Sequence, residues 1–219
     1  MEHTDLSRLD LPEERTRLSD EQGGYSFYAY LSRMRYITRW GLMRNSCPEN
    51  VQEHSHMVAV LAHALGLISR DIYGNTRISP EACATAALFH DATEIITGDM
   101  PTPVKYSSPG LRDAYKALEA ESVDSMTRLL PPELAEEVSP FITGSLLTAE
   151  EKRLLKAADR LSALVKCMEE QRSGNHEFDA ALRQQREALE GMHCPEADWF
   201  MAHCLPCFTQ NLDELTRSE

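Results

Sequence analysis

The chain has 219 residues, 42% of them apolar, with 22 basic against 35 acidic side chains and a formal net charge of −13. That length supports one domain with a sizeable core, or at most two small ones. The charge repels a phosphate backbone and excludes a nucleic-acid polymer as a partner, but it leaves room for a small anionic substrate among a few local cations.

Six scattered cysteines fit reduced thiols and a cytoplasmic location. The start of the chain lacks the basic and apolar regions of a signal peptide. No apolar run approaches the roughly 18 residues of a membrane span. A soluble protein with no membrane partner is expected.

Residues 1–24 are polar and end in Gly23-Gly24, which predicts a loosely held N-terminal arm ahead of a single domain over 25–219. Helices are predicted over 25–37, 50–70, 80–95, 109–130, 132–143, 149–171, 176–190 and 195–216. Asn50 with Glu53, and Thr148 with Glu151, have capping-box spacing. Ser79-Pro80-Glu81 puts a cap residue before proline at the first helical position. The stretch 98–109 holds Pro101 and Pro103 and is predicted as loop, because proline removes a donor and clashes inside a helix. Strand signals are nearly absent, and no Gly-rich phosphate loop is seen. The fold class is therefore all-α, a multi-helix bundle.

Candidate chemistry begins at Arg39-Trp40. Arginine binds phosphate bidentately and tryptophan can wall a pocket, although for the dipeptide alone a cation–π or packing pair at a helix end is the favoured reading. In the next helix Val58, Leu61, Leu65 and Ile68 fall within about 40° of His54, so His54 points inward. His56 and His63 project about 160° and 180° away and read as structural or exposed. His90 shares its direction with the small residues Cys83, Ala86 and Ala87. Glu94 lies about 40° and Asp91 about 100° from it, so the three converge on one patch.

Two inward histidines on separate helices beside carboxylates point to a divalent metal. Such donors suit Mn²⁺, Co²⁺, Fe²⁺ or Zn²⁺. Asp159 is a candidate further ligand. Periodicity does not support it, because Leu154, Leu161, Leu164, Val165 and Met168 lie on the opposite face and Lys152 and Lys166 share its side. The turn-rich run Thr97-Gly98-Asp99-Met100-Pro101-Thr102-Pro103 reads as a rigid loop or a simple connector. Cys204 and Cys207, with Cys194 and His203 nearby, read as buried free thiols in a C-terminal helix and not as a zinc site.

His54, then His90-Asp91, then Asp159 resembles the H…HD…D pattern of the HD-domain phosphohydrolases. The likeness is closer to the bacterial 5′-deoxynucleotidase YfbR family. It is carried over about residues 25–216 by Arg39-Trp40, Leu42-Met43-Arg44-Asn45, Glu49-Asn50-Val51, Glu53-His54-Ser55, Glu94, Thr97-Gly98-Asp99 and Pro101-Thr102-Pro103-Val104-Lys105-Tyr106. Met100 departs from the family's leucine.

The resemblance implies an all-α HD-domain fold, a homodimer, and hydrolysis of 2′-deoxynucleoside 5′-monophosphates to deoxynucleoside and phosphate. It implies one divalent ion, Co²⁺ or Mn²⁺ first, with Zn²⁺, Fe²⁺, Cu²⁺ or Mg²⁺ as alternatives. His54, His90, Asp91 and Asp159 would be its ligands. Arg39 and Glu94 would act in catalysis. Arg39, Trp40, Asp91, Asp99, Met100, Pro101, Thr102 and Asp159 would bind the deoxynucleotide. Two other readings stand beside this one: a deoxynucleoside triphosphate hydrolase on the same scaffold, and a nucleotide-binding protein without catalysis.

Overall fold

The computed structural model describes residues 24–105 and 107–216, apart from the side chain of Thr102. The polar arm, up to residue 23, and Tyr106 of the proline loop lie outside the described residues. The helices are α1 (Phe27–Leu31), α2 (Val51–Leu67), α3 (Pro80–Phe89), α4 (Glu94–Thr97), α5 (Thr102–Lys105), α6 (Pro109–Thr127), α7 (Pro132–Ile142), α8 (Ala149–Arg172), α9 (Asp179–Glu190), α10 (Pro195–His203) and α11 (Leu212–Leu215). No strand occurs among the described residues, and Thr38 and Asn50 form an isolated antiparallel bridge.

The starts of the main helices follow their cap residues. Asn50 and Thr148 each accept from the backbone three residues on, while Glu53 and Glu151 reach back, so both capping boxes form. Ser79 caps α3 ahead of Pro80. These contacts satisfy backbone donors that a helix start otherwise leaves without partners.

Several predicted helices are interrupted, each for a local reason. The predicted 80–95 helix stops at Phe89, because the Ala87 carbonyl is taken by His90 through both its backbone N–H and its Nδ1, at 3.4 and 2.7 Å. The 25–37 helix tightens to a 3₁₀ turn over Ser32–Tyr36, and the 50–70 helix widens to a π turn over Ile68–Ile72. The 195–216 helix breaks into a 3₁₀ turn at Leu205–Thr209, where Pro206 sits, before Asn211 caps α11. Within the predicted loop 98–109 a short helix, α5, forms. Its Pro103 lies in the first turn, where a missing N–H costs nothing.

α2, α3 and α8 pack against one another, with α9 and α10 laid on α8. Their core holds Val58, Leu61, Leu65, Leu154, Leu161, Leu164 and Leu189, all buried. A smaller cluster of Phe27, Ala92, Met126, Leu130 and Ile142 sits under α1, α6 and α7. α2 and α3 approach closely at Gly66, where an added Cβ would lie 2.7 Å from the Pro80 Cα.

A buried ion pair ties the segment before α2 to α8. Lys166 and Glu170 are 3% and 0% exposed and hydrogen-bonded to each other. Glu170 also accepts from the backbone N–H groups of Ser46 and Cys47 and from Asn175 Nδ2, and Lys166 donates to the Cys47 carbonyl. Lys166 therefore does not share a solvent face with Asp159, as its periodicity suggested. Burial works against the Glu170 charge, but Lys166 and the backbone donors prevail and hold the carboxyl down at about 2. This stabilisation is present above the usual 4.5 and is lost as pH falls toward 2. Glu170→Ala strands the Lys166 ammonium in the interior. The expected cost is about 3–5 kcal/mol, read as a lowered urea midpoint.

Candidate metal centre and active site

The break after α3 builds the centre. His90 is the C-cap of α3, and Asp91 lies in the turn that follows. α2 supplies His54 from its core face, where it is 0% exposed. The ring centroids of His54 and His90 are 5.3 Å apart. Asp91 Oδ2 lies 3.2 Å from His90 Nε2 and 3.6 Å from His54 Nε2. One donor atom from each of His54, His90 and Asp91 falls within 4.8 Å of the others. Asp159, from α8, joins them with its Oδ1 3.1 Å from His54 Nε2.

Both imidazoles are oriented from behind. His90 Nδ1–H donates to the Ala87 carbonyl, which leaves Nε2 as an acceptor. That Nε2 is buried and has no hydrogen-bond partner. His54 Nδ1 lies 3.0 Å from the buried Ser162 Oγ, which can accept from it and free Nε2 in the same way. When both imidazoles are neutral with Nδ1–H donating behind, two nitrogen lone pairs and two carboxylates converge. A divalent cation satisfies that arrangement, and His54, His90, Asp91 and Asp159 are the residues that would hold it. Ser162→Ala is expected to weaken binding of that ion roughly 10–100-fold in a chelator competition, with the fold retained.

The electrostatics of the centre are lopsided. Burial opposes the His90 charge, but Asp91 beside it outweighs burial and lifts the imidazole to about 9. Burial likewise raises Asp91 and Asp159, yet the histidines prevail and both carboxyls sit below their ordinary range. Glu94 at the start of α4 behaves differently. Burial, then Asp91 and Asp99, push its carboxyl up to about 9. Its Oε2 is buried with no hydrogen-bond partner.

Arg39 and Trp40 are held by a residue that the sequence left without a role. Glu49 Oε2 accepts from Arg39 Nη1 at 2.7 Å and from Trp40 Nε1 at 3.1 Å. The Arg39 backbone N–H also donates to the Glu49 carbonyl. Trp40 has a φ of 59°, which is costly for a bulky residue. Its ring packs edge-on against Phe178 at 5.4 Å, and Asn45 holds its carbonyl. Arg39 and Trp40 also pack on each other at 5.7 Å. The pair is thus braced on several sides before any ligand arrives.

These residues open on a cavity of about 480 Å³. Its lining includes Arg39, Trp40, Asp99, Met100, Pro101 and Asp159. The Asp159 side chain is 43% exposed, but it faces this cavity, so the surface carboxylate that periodicity suggested is a cavity wall. Gly98, at a φ of 71°, turns the chain from α4 into the wall residues 99–101. Pro103 lines the same cavity, and α5 begins at Thr102. The lining also holds Lys156, which the family resemblance includes, and Arg160, Gln184 and Gln185, which the sequence did not mark. The last three sit on helix faces of ordinary polar composition, so no local signal identifies them.

Other expectations fall away from the site. His56 is exposed and His63 half-buried on α2. Cys194 is buried and Cys204 half-buried, but Cys207 is exposed in the 3₁₀ turn, so the thiols are not all buried in a helix.

Comparison with known proteins agrees with this geometry. Residues 26–208 match the family described as 5′-deoxynucleotidase YfbR-like. A 5′-deoxynucleotidase of Vibrio atlanticus is 41% identical over 87% of this chain and 97% of its own length. Another, of Photorhabdus laumondii, is 44% identical over 87% and 96%. Among solved structures, an HD-domain phosphohydrolase from Listeria innocua superposes with a TM-score of 0.72 at 23% identity, covering 85% of this chain and 90% of that one. A cyanophage S-2L HD phosphohydrolase, described as bound to dA and one catalytic Zn²⁺ ion, gives 0.59 at 22% identity over 84% and 96%. Those structural likenesses carry the all-helical HD fold.

Proposed function

The chain belongs to the 5′-deoxynucleotidase YfbR-like family, and on that premise we propose that it hydrolyses 2′-deoxynucleoside 5′-monophosphates to deoxynucleoside and phosphate. The observation that carries this reading is a braced Arg39-Trp40 pair on the wall of a cavity that Asp159 also lines, with Asp159 joining the cavity to the His54, His90 and Asp91 cluster behind it. Arg39, Lys156 and Arg160 line that cavity against Asp99 and Asp159, in a chain of net charge −13. Those cations favour an anionic substrate.

A divalent ion held by His54, His90, Asp91 and Asp159 supplies charge neutralisation for the phosphoryl oxygens and lowers the pKa of water. The chain's own residues do the rest. Arg39 binds the phosphate oxygens through its remaining guanidinium nitrogens, since Nη1 is tied to Glu49. As water bonds to phosphorus and the P–O5′ bond breaks, a proton must reach the departing oxygen. Glu94, with a buried and unpartnered Oε2, is the group for that proton or for orienting the water. Trp40, fixed by Glu49 and Phe178, walls the sugar side and would collide with a 2′-hydroxyl. Asp99, Met100, Pro101 and Thr102 complete the contacts to sugar and base.

The reading extends to a homodimer in the cytoplasm that works with Co²⁺ or Mn²⁺, supported by the likeness of its motifs to the family. Residues 25–219 act in it as one catalytic domain, and no described helix is long and apolar enough to cross a membrane. Product identification tests the monophosphate assignment. The expected result is phosphate and deoxyadenosine from dAMP, with dATP inert. Release of triphosphate from dATP would instead establish the triphosphohydrolase reading.

A further inference from the structure

Among the described residues, α6 supplies none of the cavity lining, yet it holds the segment that carries Asp99, Met100, Pro101 and Thr102. Tyr115 of α6 is 4% exposed. Its hydroxyl lies 3.1 Å from Thr97 Oγ1 and donates to the Gly98 carbonyl at 3.4 Å. At the far end of the segment, Lys105 Nζ sits 4.2 Å from the centre of the Tyr115 ring. The same Nζ pairs at 2.9 Å with Glu119, one turn further along α6. A single buried side chain thus touches both ends of residues 98–105.

The chain between those ends is already stiff. Pro101 and Pro103 fix their own φ. The Pro101 carbonyl accepts from the backbone N–H groups of Val104 and Lys105 at 2.8 and 3.0 Å. Gly98 is the joint that can turn, because glycine adopts many backbone conformations at little steric cost. Tyr115 holds that joint by its carbonyl. A wall ordered before the ligand arrives spares binding the cost of ordering it.

We propose that Tyr115 is a positioning residue for the substrate: by clamping Gly98 and Lys105 to α6, it sets the 99–102 wall against which the sugar and base lie. The inference rests on the deoxynucleotidase reading and adds a residue to it. Arg39, His54 and Asp159 stand on other elements, so the clamp acts on the sugar and base and leaves the phosphate side alone.

The test is Tyr115→Phe, which removes only the hydroxyl. KM for dAMP should rise about twofold to tenfold, the scale of one hydrogen bond, with kcat within about twofold of wild type. The inhibition constant of inorganic phosphate, which makes no sugar or base contact, should not move. Amide hydrogen exchange at Val104 and Lys105 should quicken, while α2 and α8 exchange as in the wild type. Thr97→Val removes the partner hydroxyl and should act in the same direction, so the inference stays testable even if Tyr115→Phe fails to fold. An unmoved KM, unmoved exchange, or a KM and phosphate constant that rise together each overturns it. A wild type inactive on dAMP overturns the deoxynucleotidase reading instead, and exchange still reports whether the clamp exists.

Discussion

Glu94→Gln is expected to lower turnover of dAMP by about 10²–10⁴-fold while the protein still binds its full complement of metal. The substitution keeps the shape of the side chain and removes its proton chemistry. Metal content measured beside kcat separates that loss from loss of the ion. The same change has an opposite effect on the metal-free protein. With its carboxyl pushed from 4.5 to about 9, Glu94 binds a proton in the folded state that it releases in the unfolded one. Its contribution to stability is therefore full below 4.5 and is lost as pH rises through 9, with a slope of at most about 1.4 kcal/mol per pH unit. Glu94→Gln should flatten the fall in Tm over that window and make the metal-free protein more stable at pH 8. His90, raised from 6.5 to about 9, leaves a residual slope of the same sign. An unchanged pH profile would mean that Glu94 is ionised in the folded chain.

Arg39→Ala should cost about 10²–10³ in kcat, the scale of one lost transition-state donor, or about 2.7–4 kcal/mol. Arg39→Lys should recover only part of that loss, because an ammonium keeps the charge but not the planar fork. Metal affinity should stay within a fewfold of wild type in both, since Arg39 is not among the converging acceptors. A truncation there also removes one of the two side-chain donors to Glu49. Glu49→Gln is the control. It keeps Arg39 and loosens its tether, and it should lower kcat less than Arg39→Ala does. A larger loss for Glu49→Gln would show that positioning of the pair, and not the Arg39 charge, governs the rate.

The parts of this site that could be read from the sequence were those with a period or a cap. His54 stood in the middle of an apolar face, so its inward direction followed from helical geometry, and it is fully buried. The capping boxes at Asn50 and Thr148 form as their spacing suggested. Asp159 could not be placed this way. A cavity wall is as polar as a solvent face, and only the family resemblance marked that residue. Lys166 misled for the opposite reason. An i,i+4 lysine–glutamate pair looks like surface decoration, and here it is buried because Ser46, Cys47 and Asn175 close over it. The break at His90 comes from its own side chain competing for the Ala87 carbonyl, an event outside the reach of helix periodicity. Glu49 and Ser162 act through partners 9 to 108 positions away. Contacts of that kind leave no local pattern.

The central claim is deoxynucleotide specificity at a metal centre that Arg39 and Trp40 overlook. The most direct test is kcat/KM for dAMP against AMP with Co²⁺ or Mn²⁺ added. At least a tenfold preference for dAMP, lost on chelation, is predicted. Equal rates on the two nucleotides would contradict the account.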